Sequence, residues 1–272
     1  PIWQLICHYC GYTRPYPSPC STCGSGSFLP LGEGTERLTE ELQTYLGENV
    51  LRLDRDSTSR VGQMETILTS FAHEEAHVLV GTQMLSKGHH FPKVTLVILA
   101  DADMGLNFPD YRATERTFQL LLQAAGRAGR GDLNGQVLLQ TQDVSHYCWQ
   151  YVLANDYEGF YANEIERRKQ HHYPPFVRLA LIRMSYARED GDAHEELMTF
   201  TQQLPPLAEQ LGIELLGPVP APHAVLYGRK RFQCLLKSPS WQPIRELYAK
   251  ARAAVALKRV RVGLDLDPVN ML

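Results

Sequence analysis

The segment 123–130 reads Gln-Ala-Ala-Gly-Arg-Ala-Gly-Arg and brings two arginines, Arg127 and Arg130, close together in the chain. A guanidinium group is planar and permanently charged, and its fork of N–H donors matches the oxygens of a phosphate. An apolar helical run precedes the segment, and the strand-like residues 136–140 follow it. Because helix, loop and strand come in that order, we expect both arginines at the edge of a sheet, where they would suit a transferred phosphate.

A second candidate begins where a strand-like apolar run ends, at Gly81, Thr82 and Gln83, with Lys87 further along the same loop. Open α/β sheets bind ligands at the carboxyl ends of their strands. A hydroxyl and an amide at this place could hold nucleic-acid phosphates without reading the base sequence, as a translocating motor requires. The alternative is an ordinary turn between a strand and a helix.

Four of the six cysteines form two Cys-x-x-Cys pairs, Cys7 with Cys10 and Cys20 with Cys23, separated by nine residues. Four thiolates at this spacing favour a closed tetrahedral Zn²⁺ site, and they indicate a reducing compartment. Residues 1–30 are otherwise rich in Pro, Ser and Gly and lack an apolar period, so they need a metal to hold a fold. The sequence therefore predicts a zinc-binding module. The alternative is four free thiols, in which case no interaction would stabilise a fold of residues 1–30.

A basic stretch, Arg229, Lys230 and Arg231, leads into Phe232 and a strand-like run. Basic and aromatic side chains beside a sheet can grip single-stranded nucleic acid. The competing interpretation is a solvated hairpin. Since the net charge of the chain is −3, any nucleic-acid contact has to come from such local patches.

Two further segments leave alternatives open. Phe108 and Tyr111 precede the helical run of the Gly-Arg segment, and they could stack on bases or pack in a core. Asp101 and Asp103 end the strand-like run 94–100, and they could polarise a neighbouring arginine or cap a helix.

Helical and strand-like patterns alternate from residue 31 to residue 172. The apolar runs 77–80 and 94–100 have the length and the β-branched content of buried parallel strands. This order predicts an α/β domain with a parallel sheet over 31–172, after a zinc module over 1–30. The helical segments fall at 34–46, 60–74, 145–154 and 157–171, and short strands at 50–53 and 136–140.

The last part of the chain, 173–272, begins after the helix-breaking Pro174 and Pro175. Its patterns predict a smaller α+β domain in the order β-α-β-β-α-β, which is that of a split β-α-β sandwich of ferredoxin-like type. The expected strands cover 177–186, 213–216, 231–237 and 260–266, the expected helices cover 192–211 and 241–257, and a turn-rich stretch carries Pro218, Pro220 and Pro222.

The composition is that of an ordinary globular protein, with 44% hydrophobic and 21% charged residues among 272, which suggests roughly two domains. The chain contains no apolar run of about 18 residues that could span a bilayer. It begins with Pro1 and shows no apolar signal segment. We therefore expect a cytoplasmic piece of a longer protein, without a membrane partner.

Taken together, these motifs closely resemble the bacterial PriA family of primosomal replication-restart helicases, from the second half of the zinc region onward. The resemblance covers the whole chain and rests on several segments specific to that family. They are Cys7-His-Tyr-Cys10, Cys20-Ser-Thr-Cys23, Gly34-Thr-Glu-Arg-Leu38, Asp54-Arg-Asp56, residues 81–92, residues 110–116, residues 123–130, Tyr173-Pro-Pro-Phe176 and residues 216–221.

The resemblance implies the second RecA-like lobe of a superfamily 2 DNA helicase that moves 3′ to 5′, recognises stalled forks and starts primosome assembly. Its implied partners are forked and single-stranded DNA, single-strand-binding protein and other primosome proteins, in the nucleoid of a bacterial cytoplasm. Gly81, Thr82 and Gln83 would correspond to motif V. Motif VI would comprise Gln123, Gly126, Arg127, Gly129 and Arg130, with Arg130 as the arginine finger and Arg127 on the same phosphates of Mg²⁺-bound ATP.

Two departures from the family pattern matter. The chain has no Gly-x-x-x-x-Gly-Lys-Ser/Thr phosphate loop, so the lobe that binds ATP would lie upstream, and the chain alone should not hydrolyse ATP. It also has four of the family's eight zinc cysteines; the resemblance implies that in the full protein the two pairs would belong to different Zn²⁺ ions, whereas in this chain alone they could share one. The alternative function is a non-catalytic DNA-binding and primosome-docking protein with a vestigial ATPase.

Overall fold

The computed structural model of the protein describes residues 4–6, 13–15, 34–47, 49–54, 56–82, 91, 93–126 and 135–271. The chain divides into two compact units, one formed by 27–108 with 112–157, the other by 1–26, 109–111 and 158–272. The described helices are α1 (Thr35–Leu46), α2 (Gln63–Ala72), α3 (Asp103–Leu106), α4 (Ala113–Ala125), α5 (Cys148–Ala154), α6 (Tyr157–Gln170), α7 (Asp192–Gln202), α8 (Leu204–Gln210) and α9 (Trp241–Ala254). The described strands are β1 (Gln4–Ile6), β2 (Thr13–Pro15), β3 (Val50–Leu53), β4 (Val78–Gly81), β5 (Leu96–Leu99), β6 (Gln136–Leu139), β7 (Arg178–Ala187), β8 (Glu214–Leu226), β9 (Arg229–Ser238) and β10 (Arg261–Leu266).

In the unit formed by 27–108 and 112–157, the described strands pair in parallel, β3 with β4 and β5 with β6. The predicted parallel arrangement and the order of helices and strands are therefore confirmed for these elements. Burial was expected for both apolar runs, 77–80 and 94–100, and is wrong for most of their residues, since Val80 of β4 is buried but no residue of β5 is. Leu96 and Ile98 of β5 and Leu138 of β6 are about half exposed, because alternate residues of this pair face outward.

The other unit is built on a four-stranded antiparallel sheet in the order β10-β7-β9-β8. The helices α7, α8 and α9 pack on one face, with Phe200, Leu204 and Leu247 fully buried against Ile182 and Leu236 of the sheet. Chain order and strand order are those of the predicted β-α-β-β-α-β sandwich, which is confirmed. The sequence-based boundary near residue 172 stays a prediction; in the division given above, α6 from Glu158 onward lies with this sheet.

The helix expected over 192–211 is interrupted, which corrects the sequence-based expectation. The first helix, α7, ends at Gln202, and α8 begins at Leu204 with Pro205 and Pro206 in its first turn. A proline lacks the N–H that a helix interior needs, but it is tolerated in a first turn. The break therefore falls where the two prolines can be accommodated.

The stretch with three prolines that was expected to be turn-rich is part of β8, a strand of thirteen residues. Because β8 lies at the edge of the sheet, the missing N–H groups of Pro218, Pro220 and Pro222 break few ladder hydrogen bonds. The pairing with β9 shifts register between Leu216 and Val219. Gly217 sits in this shift at a φ of 105°, and a Cβ atom there would lie 2.8 Å from the carbonyl oxygen of Gln233.

The sheet face opposite the helices is covered at one end by an aromatic stack, which we call the tyrosine stack. Tyr111 and Tyr173 lie parallel with ring centroids 5.2 Å apart, and they pack against the cluster around Leu179 and Leu181. Each ring of the tyrosine stack also contacts a cationic side chain. The Arg168 guanidinium lies 5.1 Å from the Tyr111 centroid, and Lys237 Nζ lies 4.2 Å from that of Tyr173.

None of the helices in the described parts of the chain is both long and apolar enough to cross a membrane.

Candidate functional site

The predicted motif V residues lie at the carboxyl edge of the β3–β4 pair. Gly81 is the last residue of β4 and is paired with Leu53 of β3. The next residue, Thr82, is exposed, and its N–H donates to the Leu53 carbonyl at 3.4 Å. Gln83 and Lys87 lie outside the described residues. The exposed Thr82 hydroxyl at a strand end can donate to a phosphate oxygen, as the sequence suggested.

A buried carboxylate organises the same edge and was missed as a site residue by sequence reasoning. Asp54 follows β3 directly, and it accepts hydrogen bonds from Thr35 Oγ1 and from the Ser57 N–H at 2.8 Å. Arg52 Nε lies 3.2 Å from the same carboxylate. The signal was available, because Asp54 stands at a predicted strand end and Thr35 at a predicted helix start.

The pKa of Asp54 lies below its ordinary value. Burial opposes ionisation of this carboxyl, but the hydrogen bonds from Thr35 and Ser57 and the charge of Arg52 outweigh that effect. Asp54 is therefore ionised at neutral pH and fully engaged in ties to α1 and to the turn after β3. These contacts fix the chain directly after Leu53, the β3 residue that pairs with Gly81.

The predicted motif VI begins on α4, a helix of thirteen residues that packs against β5. Its buried side carries Phe118 and Leu121, whereas Gln123 is exposed. The helix closes at Gly126, whose N–H donates to the Leu122 carbonyl at 2.9 Å. The remaining predicted residues lie outside the described part of the chain; they are Arg127, Gly129 and Arg130.

Of the two aspartates after the run 94–100, Asp103 makes contacts that neither alternative predicted, whereas for Asp101 both alternatives stay predictions. Asp103 is buried in the first turn of α3, and its carboxylate accepts hydrogen bonds from Thr141 Oγ1 at 2.8 Å and from the Gln142 N–H at 2.7 Å. These hydrogen bonds hold the pKa of Asp103 below its ordinary value against the opposing effect of burial. The aspartate thus ties α3 to the loop after β6, and no side-chain cap forms on this helix.

The two candidate base-stacking residues differ in surroundings. Tyr111 belongs to the tyrosine stack, which fits the core alternative, whereas Phe108 remains 44% exposed. Stacking on a base is therefore open to Phe108 but not to Tyr111 in this arrangement.

The basic stretch of the sequence does not form one patch, because β9 alternates its side chains between the two faces of the sheet. Lys230 lies on the helix-covered side, with Nζ 5.9 Å from the Tyr186 ring centroid. Arg229 and Arg231 lie on the opposite face, where Arg229 donates to Ser185 Oγ and to the Ser185 carbonyl at 2.8 Å. All three side chains are partly buried, so a fully solvated hairpin does not describe them.

The four predicted zinc ligands Cys7, Cys10, Cys20 and Cys23 lie outside the described residues. The other two cysteines, Cys148 and Cys234, are buried and form no disulfide. Burial raises the pKa of the Cys234 thiol to about 12. Since Zn²⁺ binds the thiolate form, Cys234 is unsuited to be a ligand.

Comparison with known proteins assigns both units. A model of the helicase conserved C-terminal domain matches residues 28–132, and a model of the primosomal protein N C-terminal domain matches residues 169–269. Three relatives each bear the name replication restart protein PriA. The protein of Haemophilus influenzae is 40% identical over 98% of this chain, that of Bacillus subtilis 38% over 99%, and that of Treponema pallidum 38% over 100%.

The chain spans 34% of the length of the Bacillus relative, 37% of the Haemophilus relative and 41% of the Treponema relative. The matched domain models place a helicase C-terminal lobe before a primosomal C-terminal domain. The chain therefore belongs to the PriA family of replication restart proteins and corresponds to the C-terminal part of its members.

Proposed function

We propose that this chain is the C-terminal part of an ATP-dependent DNA helicase that recognises stalled replication forks and starts primosome assembly. The observation that carries the proposal is the match of the helicase C-terminal domain to residues 28–132, which include both predicted motifs. In this proposal Gly81, Thr82 and Gln83, with Lys87, contact the DNA backbone. Arg127 and Arg130 reach the phosphates of ATP bound to the other lobe.

The proposed roles of this chain follow from the motifs that its sequence has and lacks. ATP and Mg²⁺ need a phosphate loop, and no Gly-x-x-x-x-Gly-Lys-Ser/Thr segment occurs in the sequence. The residues of this chain therefore supply transition-state charge stabilisation, DNA contact and docking to partner proteins. Forked DNA, single-strand-binding protein and other primosome proteins are the proposed partners.

The test is ATP hydrolysis by the full-length gene product beside the 272-residue chain, each with and without forked DNA. We expect DNA-stimulated hydrolysis in the full-length protein and none in the chain alone. If neither hydrolyses ATP but both bind forked DNA, the non-catalytic docking function replaces the motor.

We further propose that Cys7, Cys10, Cys20 and Cys23 hold one structural Zn²⁺ in this chain. The support is the spacing of the two pairs and the chemistry of four thiolates, which Zn²⁺ prefers in closed structural sites. A shared ion is the simplest arrangement when four ligands are available. The module lies outside the proposed nucleotide cleft, so it would serve fork recognition and partner loading.

Replacing Cys20 and Cys23 with serine should release the metal, because a hydroxyl is a far weaker zinc ligand than a thiolate. We expect about one Zn²⁺ per wild-type chain and almost none in the double variant, measured by a metal-sensitive dye after denaturation. Cys148→Ala is the matched control, since this buried cysteine lies outside the two pairs. Equal zinc content in the double variant and the control would contradict the assignment.

A further inference from the structure

Residues 109–111 are a short stretch of chain that folds with different partners from its neighbours. They group with the sheet of β7 to β10, whereas the residues up to 108 and those from 112 onward belong to the other unit. Arg112 alone separates Tyr111 from Ala113, the first residue of α4. The start of α4 is therefore tied, through a single residue of chain, to the place where Tyr111 is held.

Tyr111 is held by the tyrosine stack, and its neighbours there have fixed positions of their own. The Tyr173 ring contacts Lys237 of β9, and the Tyr173 N–H donates to the Arg168 carbonyl at 2.7 Å. The Arg168 side chain lies over the Tyr111 ring and is paired with Glu164 on α6 at 3.0 Å. Stacked rings and a cation over a ring both have preferred geometries, so the Tyr111 ring is constrained in orientation as well as in position.

The anchored tyrosine lies next to an end of α4 that has no side-chain cap. Arg112 occupies the N-cap position, and within the described part of the chain its side chain makes no capping hydrogen bond. The buried Phe118 and Leu121 hold α4 by apolar contact. Such contact is not directional, so it fixes the position of the helix along its own axis less strictly than an anchor at one end does.

The helix α4 carries the position of its first turn to motif VI. It has thirteen residues, which corresponds to a length of about 20 Å, and it closes at Gly126, directly before Arg127. Backbone hydrogen bonds join each turn of an α-helix to the next, so a displacement of the first turn also shifts the last. Groups that stabilise a transition state tolerate little displacement, because an error of about 1 Å can lower the rate about 10²-fold.

We propose that Tyr111 is a positioning residue for ATP hydrolysis that acts through α4 on Arg127 and Arg130, an inference that rests on the proposed helicase function. About one helix length separates Tyr111 from these arginines, so its effect does not require contact with ATP. The tyrosine stack belongs to the unit of β7 to β10. That unit therefore helps to determine how well the two arginines stabilise the transition state.

The first experiment measures steady-state ATP hydrolysis by the full-length protein with saturating forked DNA. Tyr111→Ala should lower kcat about tenfold and leave KM for ATP within about twofold of wild type, because the arginines act on the transition state. Tyr111→Phe keeps the stacked ring and should match wild type. Tyr173→Ala removes the other ring of the stack and should lower kcat as much as Tyr111→Ala. The matched control is Tyr161→Ala, at a 56% exposed position of α6, which should change neither quantity.

Combining Tyr111→Ala with Arg130→Ala separates positioning from a general loss of stability. If Tyr111 acts through the motif VI arginines, the double variant should hydrolyse ATP within about threefold of Arg130→Ala, measured in single-turnover reactions with excess enzyme. A larger further loss in this background would show that Tyr111 acts independently of Arg130, and it would overturn the proposal.

Hydrogen exchange of the full-length protein without ATP is the second experiment. Tyr111→Ala should speed amide exchange in residues 113–120, the first two turns of α4, because the start of the helix loses its anchor. Exchange in α1, which belongs to the same unit, should stay at the wild-type rate. Unchanged exchange in α4, or faster exchange in both helices, would contradict a local anchor.

Two outcomes would overturn the proposal and leave the helicase function intact. One is wild-type kcat in Tyr111→Ala beside an active wild-type protein. The other is a Tyr111→Phe variant as slow as Tyr111→Ala, since the hydroxyl and not the stacked ring would then matter. Absence of hydrolysis in the wild-type protein would instead refute the helicase function, and this role of Tyr111 with it.

Discussion

Arg130→Ala in the full-length protein is expected to lower DNA-stimulated ATP hydrolysis by about 10³-fold or more. The reason is that a finger arginine stabilises the negative charge that spreads over the transferred phosphoryl group, and alanine removes this donor while Arg127 remains. The described end of α4 supports this role, because the helix is anchored by Phe118 and Leu121 and closes at Gly126, one residue before the arginines begin. Steady-state hydrolysis with saturating forked DNA is the measurement.

Two further variants show whether the loss of turnover is specific to the guanidinium group of Arg130. Arg130→Lys keeps the charge but loses the planar fork, so it should restore little of the lost turnover. Arg60→Ala removes an exposed arginine before α2 in the same unit and should leave turnover unchanged. Turnover within about threefold of wild type in Arg130→Ala would remove this arginine from the transition state, since a change that small is below 1 kcal/mol.

Glu214→Ala is expected to lower the free energy of unfolding by about 2 kcal/mol. The Lys237 side chain is 5% exposed, and its ammonium group donates to Glu214 Oε1 and to the His171 carbonyl, each at 2.9 Å. Removing the carboxylate leaves a buried cation with the His171 carbonyl and the Tyr173 ring, which compensate it incompletely. The loss is smaller than for a fully buried pair, because Glu214 itself is 40% exposed.

Urea unfolding of the 272-residue chain measures this effect, with Glu209→Ala as the control. Glu209 is exposed on α8, and its removal should change the free energy of unfolding by no more than about 0.5 kcal/mol. Equal values for the two variants would mean that the Lys237 contact contributes nothing.

The Glu214 contribution also has a defined pH dependence. Burial opposes ionisation of this carboxyl, but the hydrogen bonds from Lys237 and His172 outweigh it and hold its pKa below the ordinary value of 4.5. A carboxyl with a lowered folded-state pKa stabilises the fold above its unfolded pKa and loses that contribution as the pH falls through the folded value. The stability difference between wild type and Glu214→Gln should therefore be full at neutral pH and shrink below about pH 4.5.

Apolar periodicity in the sequence predicted most helices and strands, because this pattern depends only on residues that are close together in the chain. The strand Val50–Leu53 and the helix that begins at Trp241 follow directly from apolar periodicity. The proline effects needed tertiary context. Nothing in the residues themselves says that Pro218, Pro220 and Pro222 lie on an edge strand, where their missing N–H groups are tolerated.

For the candidate sites too, features that depend on neighbouring residues were predicted, and features that depend on distant residues were not. Thr82 was found because strand ends in α/β sheets are a known ligand position. Asp54 and Thr35 each stand at the end of a predicted element, but their contact was missed because it joins residues that lie 19 positions apart in the chain. The proximity of Arg183, Arg231 and Arg261 could not be predicted for a related reason, because they become neighbours only once the register of three strands is fixed.

The tyrosine stack has a consequence for the order in which the chain can fold during synthesis. Tyr111 leaves the ribosome about 60 residues before Tyr173, and domains otherwise tend to fold from the N-terminus as they emerge. Residues 109–111 group with the sheet of β7 to β10, although both neighbouring stretches of chain belong to the other unit. Residues 109–111, which precede α4, therefore reach their native contacts with Tyr173 only after the C-terminal sheet has been synthesised. The unit that contains α4 cannot complete its native structure at this segment before then.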